Sequence, residues 1–495
     1  RPVPHERYGR GRRTPEQGNG KESDRYLYLL RGLGNTLLIT ALAVILGIVL
    51  GFLVAIVRST HDKHGGLKIL NVICKVYLTI WRGTPTMVQL LIMYYIILVA
   101  LDNKILVAVI AFGLNSAAYV AEIVRSGIMS VDIGQFEAGR SLGLNYQQTM
   151  QSIVLPQAIK NILPALLNEV ISLLKETSII NWLKERHGWT ISEDMLTFTP
   201  GIVRGLAFAI HCFTEKGDKV MVMPPVYHPF FLVTQKNERE VVFSPLILKD
   251  GQYHIDFNRF RKDVQGCKLL VLSNPHNPGG RVWTKEELSQ IADICYESGT
   301  LVISDEIHAD LTLPPYKHST FALISEKARM NSLVFMSPSK AFNMPGLASS
   351  YAIIENDELR HRFQTYMEAS EFSEGHLFAY LSVAAAYSHG TEWLDQVIAY
   401  IQGNIDYTEH YLKEQIPTIK MIRPQASYLI FLDCRELGLN REELNRLFVE
   451  DAHLALNEGT TFGKEGEGFM RLNIACPRAT LEQALKQLTQ AVNNR

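Results

Sequence analysis

The chain has no CxxC pair and no histidine at zinc-ligand spacing from a cysteine. Its six cysteines, Cys74, Cys212, Cys267, Cys295, Cys434 and Cys476, lie far apart. Scattered thiols in a long chain read as reduced core residues, so neither a disulfide framework nor a metal site is expected. No cleavable signal peptide is legible, because the first hydrophobic run is too long for an h-region and no small-residue cleavage site follows it. Neither half repeats itself. Excess charge of one sign is also missing, with 49 Lys+Arg against 50 Asp+Glu, and nucleic acid is not an expected partner. The most telling shortage is local. Before about residue 180 the chain is built from long uncharged runs, and after it charge returns at ordinary globular density, which marks a domain boundary.

Residues 1–25 are polar, rich in Gly, Pro and Arg, and expected to be disordered. Thr36–Val57 then carries no charge, enough to cross a hydrocarbon core of about 30 Å as a helix. Thr84–Leu101 and Ile105–Ala121 are further uncharged runs, and a weaker fourth begins near Ile162, interrupted by Glu169 and Lys175. Residues 26–179 are therefore expected to be an all-α segment of about four spans in a lipid bilayer. Arg58, Lys63, Lys68, Lys75 and Arg82 crowd the first connection while Lys104 stands alone in the second. This bias places the first connection in the cytoplasm and the N-terminus outside, although the basic residues Arg7, Arg10, Arg12 and Arg13 argue the other way. Alternation returns residues 125–160 to the cytoplasm. Glu122, inside a span, reads either as a functional intramembrane charge or as a helix-end charge snorkelling to the interface.

The 125–160 connection holds a spaced pattern: Glu137-Ala138-Gly139, then Gly143, then Ile153-Val154-Leu155-Pro156. A glycine lets two short helices meet in a sharp turn, and Pro156 is expected to end the second amphipathic stretch. The pattern resembles the EAA loop of ABC-importer permeases, and "WRGTP", "AYVAEIVRSGI", "GQFEAGRSLG" and "LLKETSI" are similar to polar amino-acid uptake permeases. The resemblance covers about residues 26–179 and stops before the family's last span. It implies an inner-membrane location, an ABC ATPase as partner, and ATPase coupling through Glu137 and Gly143.

From Val220 the pattern changes to short β-branched runs, "KVMVM", "LLVLS", "TLVIS" and "SLVFMS", alternating with helical stretches such as 285–298. That alternation predicts an α/β domain with a mainly parallel sheet over about 180–365. An alternating strand over 427–433, a helix near 441–450 and a strand over 470–475 predict a smaller α+β domain over 366–495. Four signals follow in order. Asn274-Pro275-His276-Asn277-Pro278-Gly279-Gly280 sits directly after a strand, where two Asn-Pro pairs fix a rigid turn that presents Asn277 at the sheet's carboxyl edge. Ser304-Asp305-Glu306-Ile307-His308 lies at another strand end, where an ionised Asp305 could hold a pyridine nitrogen protonated; alone it would be a helix cap. Ser337-Pro338-Ser339-Lys340 suits a Schiff-base lysine with hydroxyls for a phosphate. Arg471 opens "RLNIACPR", and its planar fork suits a carboxylate held bidentately.

In series, Asn277, Asp305, Lys340 and Arg471 resemble fold-type I pyridoxal-phosphate enzymes. The wording of "PPVYHPF", "NPHNPGGRVWTKEEL", "SDEIHADL", "SPSKAFNMPGL" and "GFMRLNIACPR" is similar to MalY/PatB-type cystathionine β-lyases over residues 180–495. The resemblance implies pyridoxal 5′-phosphate as cofactor, a PLP-dependent transferase fold, a cytoplasmic homodimer and a small amino-acid substrate. It further implies that Lys340 is the catalytic lysine, that Tyr227 stacks on the ring, and that Asn277 bonds its phenolic oxygen with His308 close by. Asp305 would pair with the ring nitrogen, Arg471 would take the substrate carboxylate, and Ser337, Ser339 and the backbone of Gly201, Ile202 and Val203 would hold the phosphate. Ala348 stands where related aminotransferases often have an arginine. β-Elimination of a thiol, yielding pyruvate and ammonia, is the activity implied; transamination uses the same residues. The family's N-terminal stretch of roughly eighty residues has no counterpart before "INWLKERHGW". A third outcome, a transporter subunit carrying an incidental enzyme fragment, stays open. The two resemblances meet near Ile179–Ile180 with no Gly/Ser/Pro linker, and four spans from an outside N-terminus would put the enzyme outside the cytoplasm.

Overall fold

The computed structural model describes residues 25–84, 89, 92–101, 103–372 and 375–495. The expected disordered tail lies outside them, apart from Arg25. The chain divides into two compact units, Arg1–Glu169 and Val170–Arg495.

The first unit is helical. Helices α1 (Arg25–His64), α2 (Lys68–Gly83), α3 (Lys104–Met129) and α4 (Ile133–Ser141) are followed by a short turn of helix and then α5 (Leu155–Trp182), within which the division between units falls. Among the described residues two stretches, Leu42–Asp62 and Lys104–Met129, are long and apolar enough to cross a membrane. They match the first and third uncharged runs. Part of the second run lies outside the described residues; its described part includes a single wide turn, Met93–Ile97. α1 and α3 pack closely because Gly47 and Gly51 face Ser116 and Val120, where a Cβ would come within 2.7 Å of a side chain. Leu42, Ile45, Val49 and Leu53 of α1 stay exposed, as lipid-facing residues would. Glu122 is neither isolated nor at a helix end. It pairs with Arg58 at 3.4 Å and with Arg125 at 3.2 Å, and Arg125 pairs with Asp62 at 3.0 Å.

Pro156 does not end a helix. It lies inside a continuous helical stretch, directly after the wide turn Met150–Val154 that the Leu155 amide closes on Met150, and the chain stays helical through it.

Among the described residues the second unit carries thirteen strands. β1 (Leu196–Thr199), β2 (Lys219–Val222), β3 (Glu240–Phe243), β6 (Cys267–Ser273), β7 (Leu301–Asp305), β8 (Ser332–Met336) and β9 (Ser350–Ile353) form a seven-stranded sheet in the order β1-β9-β8-β7-β6-β2-β3. Its pairings are parallel from β3 through β8 and antiparallel at β8–β9 and β9–β1. β4 (Ile247–Lys249) and β5 (Gln252–His254) make a hairpin. β10 (Lys420–Ile422), β11 (Leu429–Asp433), β13 (Phe469–Asn473) and β12 (Asn457–Glu458) form an antiparallel second sheet in that order.

The predicted runs became strands for a simple reason. β7 and β8 are buried along their whole length, so a continuous apolar run, rather than an alternating one, is what the centre of a helix-covered parallel sheet requires. Helix α6 (Ile202–Phe213) buries Leu206, Ala209 and Ile210 against Val220, Val271 and Phe335 of one core cluster. Helix α7 (Lys285–Ser298) starts with a reciprocal Thr284/Glu287 capping box and stops at Gly299 in the left-handed region. Burial of large side chains such as Trp283, Phe260 and Phe335 contributes roughly 2–3 kcal/mol each relative to exposure. β11 differs from its predicted alternation: Leu429 to Leu432 are all buried, because β11 is central in its sheet and covered on both faces.

Candidate active site

Three crossovers end at the same edge of the large sheet. β6 ends at Ser273 and delivers Asn277, β7 ends at Asp305, and β8 ends at Met336 and leads to Lys340. Since β6, β7 and β8 are parallel neighbours, their carboxyl ends open into one crevice. A cavity of about 520 Å³ lies there, lined by Gly201, Ile202, Val203, Tyr227, Asn277, Asp305, His308, Ser339, Lys340 and Arg471 among others. Ten of the eleven expected enzyme-site residues therefore share one cavity. Ser337 is the exception. It is buried, donates to the Ser349 carbonyl at 2.5 Å, and shares a hydroxyl–hydroxyl bond of 2.9 Å with Ser339.

The loop that presents Asn277 has both of its Asn-Pro bonds in the cis form. Its register is fixed by Gly280, at φ 67°, where a Cβ would sit 2.5 Å from Pro424 and 3.1 Å from the Ala426 carbonyl. The Gly280 carbonyl accepts from the amides of Gln425 and Ala426, so the loop after β6 is stitched to the approach to β11. Asn277 is held by its backbone N–H donating to Ser273 Oγ at 3.1 Å. Its side-chain oxygen accepts from Arg471 Nη1 at 3.0 Å, and Arg471 Nη2 donates to Asn457 Oδ1 at 2.8 Å.

Burial and neighbouring charges shift the protonation of the groups that line the cavity. Arg471 has no carboxylate partner among the described residues, its guanidinium lies over Phe462 at 4.6 Å, and its Nε is buried without a hydrogen-bond partner. Burial holds its pKa below the ordinary value. Burial also lowers the Lys340 pKa, with the Arg471 charge acting the same way and Asp305 opposing both. Such an amine gives up its proton more readily than a surface lysine. Asp305 is pushed up to about 7 by burial, with Glu306 beside it adding to the rise; the Ile307 amide, donating at 3.1 Å, and Lys340 pull it down. His308 is depressed to about 3 by burial and by the charges of Lys340 and Arg471, so its imidazole is neutral at physiological pH. Burial and Asp305 raise the Tyr227 phenol, which stays protonated.

Other lining residues were not foreseen. Tyr428 and Asn473 line the cavity, as do Arg204, Ser349 and Ser350. Asn473 is two residues beyond Arg471 on β13, so strand alternation puts both on one face, a signal that was available. Tyr428 and Ser349 come in through tertiary approach, and nothing local marks them.

In the other unit, Gly143 sits at φ 79° just after α4, forming the turn that the spacing implied. Glu137 is exposed on α4 and borders a separate cavity with Asp132, Phe136, Arg140 and Thr149. Phe136, Met150 and Val154 anchor this helical hairpin to Val124 and Ile128 of α3.

A mixed sheet with a lysine, a carboxylate and an asparagine at its carboxyl edge, facing an arginine on a second, smaller sheet, is the PLP-dependent transferase fold. Cystalysin from Treponema denticola, a structure described as containing pyridoxal 5′-phosphate, superposes with a TM-score of 0.64 at 34% identity, covering 65% of this chain and 82% of that one. The chain belongs to the class I and II aminotransferase family, whose model matches residues 161–488, and its N-terminal part belongs to the inner membrane components of binding-protein-dependent transport systems, matched over residues 47–210. The cystathionine beta-lyase PatB of Bacillus subtilis is 40% identical over 318 residues, 64% of this chain and 82% of the relative. The putative glutamine transport system permease protein GlnP of Rickettsia prowazekii is 43% identical over 165 residues, 32% of this chain and 73% of the relative.

Proposed function

We propose that residues 180–495 act as a pyridoxal-phosphate-dependent carbon–sulfur β-lyase of the cystathionine β-lyase type, joined to a truncated amino-acid permease over residues 26–179. The observation that carries the lyase reading is the convergence of Lys340, Asp305, Asn277 and Arg471 on one cavity. The residues present fit this cofactor. Asp305 is a buried carboxylate with no cationic side chain bonded to it among the described residues, while His308 Nδ1, Ser349 Oγ and Arg471 Nε are buried without partners.

When bound, the cofactor supplies an aldehyde for an amine and a ring that delocalises the electron pair left at Cα. Lys340 would provide that amine, and as a free amine it would be the base that takes the Cα proton. Arg471, fixed by Asn277 and Asn457, holds the substrate carboxylate in a two-point grip and so orients the Cα–H bond toward Lys340. Asp305 would keep a ring nitrogen protonated. Asn277 accepts from Arg471 through its oxygen, which leaves its NH₂ free to donate to a cofactor oxygen. Tyr227 would cover the ring face, and neutral His308 would add no competing charge.

Similarity to PatB favours elimination over transamination. Incubation with L-cystathionine without a keto acid should release pyruvate, ammonia and a free thiol together. Amino transfer that needs an α-keto acid and frees no thiol would favour the aminotransferase alternative. Exposed Phe378 and Leu381 support a homodimer through the enzyme half.

The N-terminal unit supports a second reading, a membrane subunit of an amino-acid ABC importer in the inner membrane. Exposed Glu137 on a hairpin bent at Gly143 is the supporting observation. Co-purification of an ABC ATPase should depend on Glu137; undiminished capture by Glu137→Ala would contradict the coupling role.

A further inference from the structure

The cavity lining includes three arginine or lysine side chains, Arg204, Lys340 and Arg471. Two are already occupied: Lys340 with the proton transfer, and Arg471 with a carboxylate under the clamp of Asn277 and Asn457. A phosphate monoester brings a charge of about −1.5 to −2 at neutral pH. At the end of the cavity formed by Gly201, Ile202 and Val203 that charge meets only hydroxyls and the first turn of α6, and Ala348 carries no charge toward it.

Two features there are unexplained by the machinery described so far. Ser349 is fully buried and lines the cavity, and its Oγ has no hydrogen-bond partner. Arg204 sits in the first turn of α6, where a cation opposes the helix dipole and is unfavourable. The helix is capped at Gly201 with no side chain closing its first amides. Arg204 makes no ion pair among the described residues; its Nη1 donates only to the Pro200 carbonyl at 3.3 Å. An anion seated on these amides reverses the sign of both anomalies.

We infer that the Arg204 guanidinium and the Ser349 hydroxyl complete a binding site for a phosphate monoester at this end of the cavity, a proposal that rests on the cofactor reading above. Arg204 supplies the charge missing at position 348, from the helix side of the pocket rather than from the β9 side. The unpartnered Ser349 hydroxyl is the added donor, in the same cavity lining as Ser339.

The test compares two ligands that differ only in the phosphate. Dissociation constants for pyridoxal 5′-phosphate and for pyridoxal are measured by fluorescence titration of the full chain in detergent. The proteins are the wild type, Arg204→Ala, Arg204→Lys and Ser349→Ala. Arg204→Ala should weaken the phosphate ester about tenfold or more and leave pyridoxal unchanged. Arg204→Lys should recover part of the loss, and Ser349→Ala should weaken the ester alone. Equal losses for both ligands, or no loss for either, would overturn the assignment while leaving the cofactor reading intact. Wild-type protein that binds neither ligand would end that reading, and this proposal with it. Because Arg204 is exposed, its variants leave the core unaltered.

Discussion

Asp305 shows how one side chain carries both function and a stability cost. Its folded pKa of about 7 lies above the ordinary value of 3.8 because burial disfavours the carboxylate. A raised pKa means the folded state holds the proton more tightly. The resulting stabilisation is full below about pH 4 and is lost as pH rises through 7. In cofactor-stripped protein, Asp305→Asn should therefore melt above the wild type at pH 8, with the gap closing toward pH 4. The same variant should bind pyridoxal phosphate more weakly. A melting difference independent of pH would contradict this assignment. Arg471→Lys keeps the charge but loses the planar fork, and kcat/KM for an amino-acid substrate should fall about 10- to 100-fold. Lys340→Ala should remove at least about 100-fold of the turnover. At this scale the sequence was informative where chemistry demands a residue type, as at Lys340 and Asp305. It was silent where a residue enters by fold alone, as Tyr428 and Ser349 do. Ser337, foreseen as a direct contact, is buried outside the cavity lining and bonded to Ser339, which does line it.

At the scale of elements, the loop after β6 and the approach to β11 are tied together at one point. Gly280 cannot carry a Cβ without meeting Pro424, and its φ of 67° is strained for any L side chain. Gly280→Ala should cost about 1–3 kcal/mol in unfolding free energy, and activity should fall with it because Asn277 and Arg471 are positioned from the two sides of this joint. A chemical-denaturation midpoint indistinguishable from wild type would contradict that. Strands β6, β7 and β8 were legible because a parallel sheet buried on both faces leaves uninterrupted apolar runs. The burial pattern of β11 was not, since a short strand's two faces depend on what later packs over them. Pro156 was misjudged for a related reason. Proline usually interrupts a helix interior, and the wide turn over Met150–Val154 that precedes this one leaves no mark in the sequence.

At the scale of the whole molecule, two family matches overlap over residues 161–210, and each relative is covered incompletely, 82% for PatB and 73% for GlnP. The junction segment is nonetheless built into the second unit. Trp182 donates to Asp310 at 3.0 Å and stacks on Tyr387 at 4.7 Å, and Trp189 donates to Glu355 at 2.9 Å. The change of wording near Ile179 and the division after Glu169 both fall within α5. If the two apolar helices insert, the lyase activity belongs to a membrane-bound chain. After alkaline carbonate extraction, pyruvate-forming activity and chain should remain together in the membrane pellet; release of active full-length chain into the supernatant would contradict insertion.

The central claim is that the Lys340 amine engages a cofactor aldehyde in the cavity at the carboxyl edge of the sheet. Borohydride reduction of the full chain with pyridoxal phosphate, followed by digestion and peptide mapping, tests it directly. The account predicts a pyridoxyl label on the peptide containing Lys340 and its loss in Lys340→Ala. A label on a different lysine, or none at all, would contradict it.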